Sequence, residues 1–157
     1  MPLSPGRILP RDMDDRMWAT FATQSGIQAD RTERSFTPTW TGFSVAPVGD
    51  ISYYDFGAIV VLWNDTAGQI VGTSDANTMV ITNLPDAITP DNSIIGQTIV
   101  IDNSGAYEGQ FSITSSNVLG FTLMTVSGAF IQAGVGGLFT AAGNKGLPTG
   151  WLIVYAK

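Results

Sequence analysis

Residues 109–144 read GQFSITSSNVLGFTLMTVSGAFIQAGVGGLFTAAGN, without one Asp, Glu, Lys, Arg, His, Cys or Tyr. Ser, Thr, Asn, Gln and Gly punctuate the run throughout, so it is too polar for a membrane span. Phe111 and Ile113 alternate with Ser112 and Thr114, and Phe121 and Leu123 repeat the pattern. That period of two is the mark of strands with one face buried. A neutral stretch of this kind offers little acid–base chemistry. It can meet another chain, or the protein's own inner sheets, without the cost of desolvating charges.

The same alternation extends outward. Strands are expected at 39–45, 51–54, 58–63, 79–82, 98–101, 110–114, 121–126 and 151–155. Gly, Asn, Asp and Pro recur between them at the spacing of an all-β sandwich or barrel. The segments 58–63 and 151–155 are apolar on both faces and should be central or covered. Residues 1–10, with three prolines, should be extended. A short helix is predicted over 12–24, with Asp12 as N-cap, Asp14 and Asp15 in its first turn and Gly26 beyond its end. Met13, Met17 and Phe21 recur at helical spacing with Trp18 beside them. Such a stripe packs either on the chain's own core or on another chain. The Pro-rich approach and charged exit favour an attachment or oligomer contact. Residues 26–35 read as a polar connector. Two domains follow: an arm with a short helix, 1–35, and a β-sandwich, 36–157.

Composition removes whole classes of chemistry. The 157-residue chain has no Cys and no His. Disulfides, thiolate metal sites and every triad built on histidine are therefore excluded. Residues 1–35 balance Arg7, Arg11, Arg16, Arg31 and Arg34 against Asp12, Asp14, Asp15, Asp30 and Glu33. The remainder holds only Lys145 and Lys157 against eight acids, which accounts for the net charge of −6. With no basic patch to displace counterions, nucleic acid is not an expected partner. No secretory signal is visible at 1–10, and no run approaches the ~18 apolar residues of a spanning helix, so membrane insertion is not expected.

The polar candidates have ordinary explanations. Asp50, Asp55, Asp65, Asp75, Asp86, Asp91, Asp102 and Glu108 lie mostly beside Gly, Asn, Ser or Pro, where a carboxylate bonds nearby backbone N–H groups. Nothing in their spacing argues for a glycosidase pair. Asp102-Asn103-Ser104-Gly105 with Glu108 lacks calcium-loop spacing and reads as a hairpin turn. Gly134-Val135-Gly136-Gly137 lacks the Lys and Ser/Thr of a phosphate loop. The Asn64-Asp65-Thr66 sequon reads as chance. No catalytic residue, metal site or cofactor is expected. Trp40, Phe43, Tyr53, Tyr54, Phe56 and Trp63 form an aromatic cluster suited mainly to a β core. Adjacent strand residues point to opposite faces, so only one of Tyr53 and Tyr54 enters the core easily, and Tyr54 is the candidate for surface binding.

Phe36-Thr37-Pro38-Thr39-Trp40-Thr41 resembles a module of phage tail-fibre and other virion structural proteins, in which a Pro-Thr-Trp strand opens a β-sandwich. Gly49-Asp50, Tyr53-Tyr54, the strand at 58–63, Gly72-Thr73-Ser74 and Leu84-Pro85 follow in that module's order. The stretch Lys145-Gly146-Leu147-Pro148-Thr149-Gly150-Trp151, followed by Leu152 to Tyr155, is similar to its closing strand. The resemblance covers 36–85 and 138–157. It implies a mainly β, antiparallel, jelly-roll-like sandwich, a homo-oligomer with a trimer favoured, a virion location, and an N-terminal segment fixing it to other virion proteins. The expected function is a non-enzymatic, tail-associated fibre or adhesin-like module, with host-surface glycan as a further partner. A capsid decoration protein and a soluble carbohydrate-binding module are the alternatives.

Overall fold

The computed structural model describes residues 32–64, 66–124 and 137–157. The predicted helix and extended arm lie outside them, as do Met13, Met17, Trp18 and Phe21. So do residues 125–136 of the uncharged run and Asp65.

The described chain is mainly β, in two antiparallel sheets. Arg34–Phe36 (β1), Ile51–Asp55 (β4), Ile59–Asn64 (β5) and Leu152–Ala156 (β12) form a four-stranded sheet in the order β1-β4-β5-β12. The second sheet holds Trp40–Thr41 (β2), Phe43–Val45 (β3), Ile70–Ser74 (β6), Met79–Ile81 (β7), Ile94–Asp102 (β8), Gly105–Thr114 (β9), Val118–Leu123 (β10) and Asn144–Leu147 (β11). Its order is β2-β7-β10-β9-β8-β11-β6-β3. The two end strands of that order are separated in sequence by Gly42 alone, so the sheet curls into a nearly closed barrel.

Glycine is required at the joint. Gly42 has φ +93°, and a Cβ there would stand 2.1 Å from the Thr78 carbonyl oxygen. Below it β2 pairs with β7, and above it β3 pairs with β6. The single strand expected at 39–45 is therefore broken in the middle, serving both sides of the barrel seam.

Several strands differ from expectation. β8 and β9 are longer than 98–101 and 110–114 because they form one hairpin, in register from Ile94↔Ile113 to Asp102↔Gly105. Asn103 and Ser104 have φ of 46° and 69°, the two left-handed residues of a two-residue turn. Gly96 lies within β8 with the Phe111 ring over it, 2.4 Å from where a Cβ would be. The ring fills the space that the missing side chain leaves. β10 begins at Val118 rather than 121. β1, β6 and β11 were not expected as strands. Arg34 and Ser35, read as connector, pair with Tyr53 and Ser52. Gly72-Thr73-Ser74 belongs to β6, and Lys145 to β11.

One core serves both sheets. Ile51, Tyr53, Leu62 and Ile153 from the four-stranded sheet join Ile70, Met79, Ile81, Ile113, Leu119 and Leu147 from the barrel. Each Leu or Ile so buried contributes about 1.5–3 kcal/mol. Trp151 Nε1 donates to Thr98 Oγ1 at 2.8 Å and ties β12 to β8 at one end. Asn64 is buried and donates to the Gly68 and Pro148 carbonyls at 2.9 and 3.1 Å, while its Oδ1 accepts from the Thr66 N–H. The sequon asparagine is thus a turn-builder joining the ends of β5 and β12.

Candidate functional site

The aromatic cluster of the sequence divides among three places. Trp40 and Phe43 meet edge-on at the barrel seam, 5.6 Å between centroids. Tyr53 is buried between the sheets. Tyr54, Phe56 and Trp63 collect on the outer side of the four-stranded sheet, with Tyr54 5.6 Å from Phe56 and 5.0 Å from Trp63. Adjacent residues of β4 therefore do part to opposite faces, and Tyr54 is the outward one.

Strand register extends that outer face. Tyr54 stands opposite Val61, Val61 opposite Val154, and Trp63 opposite Leu152. Odd residues of β5 and even residues of β12 thus share one surface. Leu152, Val154 and Ile59 are 55%, 53% and 49% exposed, unusual for large aliphatic side chains in a regular sheet. Polar groups stand at the rim. Asp55 pairs with Lys157 at 2.8 Å, and the Tyr54 hydroxyl donates to Glu33 at 3.5 Å. The centre carries no charge, so a partner could cover it without stripping water from an ion.

The edge of this sheet is also open. Among the described residues β12 pairs with β5 alone, and β8 meets β11 only at Ile101 and Asp102. Between β12 and residues 94–97 of β8 runs a groove of about 380 Å³, floored by Phe111, Ile153 and Tyr155. The Asn64 N–H donates to the Trp151 carbonyl, and the Lys157 N–H to the Ala58 carbonyl. In an antiparallel ladder the direction alternates. The backbone N–H and C=O groups of Leu152, Val154 and Ala156 therefore point away from β5, toward the groove.

Several ionisable groups are engaged in structure. Lys145 is fully buried. Its Nζ donates to the Ala76 carbonyl at 2.6 Å and lies 4.8 Å from the centroid of the Phe43 ring. Burial pushes its pKa down, opposed by the charges of Asp75 and Asp102. Asp102 accepts from the Thr140 N–H at 3.0 Å and from its hydroxyl at 2.8 Å. Asp50 accepts from the Thr37 hydroxyl at 2.6 Å. Asp86 accepts from the Asn117 amide. The Tyr155 hydroxyl donates to the Ile88 carbonyl at 2.5 Å, and burial raises its pKa, with Asp55 and Tyr53 adding to the effect.

Among the described residues no three His, Cys, Asp or Glu side chains come together to hold a metal ion. No helix among them is long and apolar enough to cross a membrane. No protein-family model matches the chain, and no curated protein sequence is significantly similar to it.

The groove beside β12 was missed in the sequence. Its walls, residues 94–97 and 152–156, lie 55 residues apart or more, and only the excess of apolar residues on both faces of 151–155 hinted at it.

Proposed function

We propose that this chain is a non-enzymatic structural subunit of a phage virion. It would act as a tail-associated, adhesin-like module that works by contact, with capsid decoration as the nearest alternative placement. The observation that carries the reading is the outer face of the four-stranded sheet, where Tyr54, Trp63, Val61, Leu152 and Val154 form a continuous surface with no charge at its centre. Exposed apolar patches of this kind mark interaction surfaces. The family resemblance supplies the virion. It also supplies a jelly-roll-like sandwich, a description supported by the chain's passage between sheets at β1–β2, β3–β4, β5–β6 and β11–β12. In this reading the arm, with Met13, Met17, Trp18 and Phe21, provides attachment to other virion proteins.

A protein partner suits the face better than a sugar. A sugar ring stacks on an exposed aromatic face, whereas Tyr54 inclines to both Phe56 and Trp63 at only about 30° and spends its faces on them. Light scattering on the full chain over a range of concentrations tests the proposal. A stable homo-oligomer is expected, and a monomer at the highest concentration contradicts it. Glycan affinity in the isolated chain, lost in Tyr54→Ala, would replace assembly with carbohydrate recognition.

A further inference from the structure

The two sheets treat their edges differently. In the barrel, β2 and β3 meet at Gly42, and among the described residues 94–100 of β8 stay unpaired on the side where only Ile101 and Asp102 meet β11. In the four-stranded sheet the outer strands are β1 and β12. β1 is three residues long and begins with an arginine. β12 is five residues long, uncharged and apolar, with the backbone groups of Leu152, Val154 and Ala156 directed into an open groove. Proteins normally protect such an edge with charge, proline, a bulge or a covering element. On β12 the nearest charge is Lys157, beyond the strand's end, and it is drawn aside to Asp55 and the Ala87 carbonyl.

We propose that β12 is an assembly edge, and that its occupant is β12 of a second copy, paired antiparallel about a twofold axis. The inference rests on the contact role argued above and names the surface and the partner. Antiparallel pairing centred on Val154 sets it against the partner's Val154 and sets Leu152 against the partner's Ala156. The N–H and C=O groups of all three residues then find partners in one register. A twofold contact must be complementary to itself. A neutral strand meets that condition in a chain whose net charge is −6, because no like charges are brought face to face. Ile95 of β8, 55% exposed, lines the same groove and would be covered together with Leu152 and Val154. The result is one eight-stranded sheet across two chains, with two Tyr54–Trp63 platforms on a common face. This is a dimer, and it differs from the threefold association that the family resemblance implies.

The full chain has no cysteine, which makes a cross-link test clean. Val154→Cys places two thiols on the same face of the pair with Cα atoms about 5.5 Å apart, within disulfide range. Mild oxidation should give a covalent dimer in high yield. Val154→Lys sets two ammonium groups opposite each other and should weaken association on the order of a hundredfold. Light scattering should move from twice the 16.6 kDa chain mass to that mass, with the circular dichroism spectrum unchanged. Should Val154→Lys fail to fold, the cross-link decides alone. An oligomer that persists unchanged in Val154→Lys, a wild-type trimer, or an oligomer in which Val154→Cys does not cross-link overturns this inference and leaves the contact role standing. A monomeric wild type overturns both.

Discussion

The barrel and the four-stranded sheet share one core and differ in what they leave undone. The barrel closes on itself at Gly42. Its buried ions are held by named partners, Lys145 by the Ala76 carbonyl and Asp102 by Thr140. Among the described residues the four-stranded sheet buries one face on the barrel, leaves the other apolar, and pairs β12 on one side only. The contrast separates two tasks. In the reading proposed above, the barrel and the shared core account for stability, and the outer face and edge of the open sheet for contact. Substitutions in the first should cost folding, and substitutions in the second should cost association.

The sharpest way to break this division is at the seam. Gly42→Val forces a side chain against the Thr78 carbonyl at φ +93° and should cost more than about 3 kcal/mol in urea unfolding. Gly150→Ala is its control. That residue has φ +71° but nothing within 4 Å of the new Cβ, so only about 1 kcal/mol should be lost. A similar cost at both positions would mean that the barrel does not depend on closure.

Asp102→Ala comes next. It removes the acceptor of both Thr140 donors and one of the charges favouring a protonated Lys145, and should cost about 2–3 kcal/mol. The same denaturation series reads it. A change near zero would remove the buried ions from the account of stability.

A smaller effect appears at high pH. Tyr155 has its pKa raised above the ordinary 10.0 by burial between the sheets. The unfolded chain gives up that proton first, so the tyrosine's contribution is fully present below pH 10 and declines as pH rises above it. Lys145 acts oppositely. Its lowered pKa makes stability rise with pH in the window just below its ordinary 10.5. Melting temperatures of Tyr155→Phe should therefore show a shallower alkaline decline than wild type. An identical slope would contradict a neutral tyrosine in the core.

The outer face should give the smallest loss of stability. Tyr54→Ala or Trp63→Ala removes one member of the exposed stack and should cost about 1 kcal/mol. A loss of 3 kcal/mol or more in the isolated chain would make this face part of the core and not a contact surface.

How much of this was legible in the sequence depended on where each residue's partners lay. Strands whose signal is local could be read directly: the alternation at 110–114 and 151–155, the parting of Tyr53 from Tyr54, and the turn at Asn103-Ser104. Elements defined by a distant partner could not. Gly96 lies within β8 with the Phe111 ring over it. Gly72 belongs to a strand because β3 passes 2.4 Å from where its Cβ would be. Lys145, one of two lysines in the chain, carries no local signal of burial and is the largest fully buried side chain. The outer face could be named at Tyr54 but not extended to Leu152 and Val154, because the register between β5 and β12 spans about ninety residues of sequence.

The account turns on whether the free edge of the four-stranded sheet is where copies meet. Amide hydrogen exchange on the full chain, compared between dilute and concentrated samples, reads this at single residues. The prediction is protection that appears with concentration at Leu152, Val154 and Ala156, while Ile153 and Tyr155, bonded to β5, are protected throughout. Exchange at those three amides that stays fast at every concentration, with new protection appearing on the outer strands of the barrel instead, would contradict it.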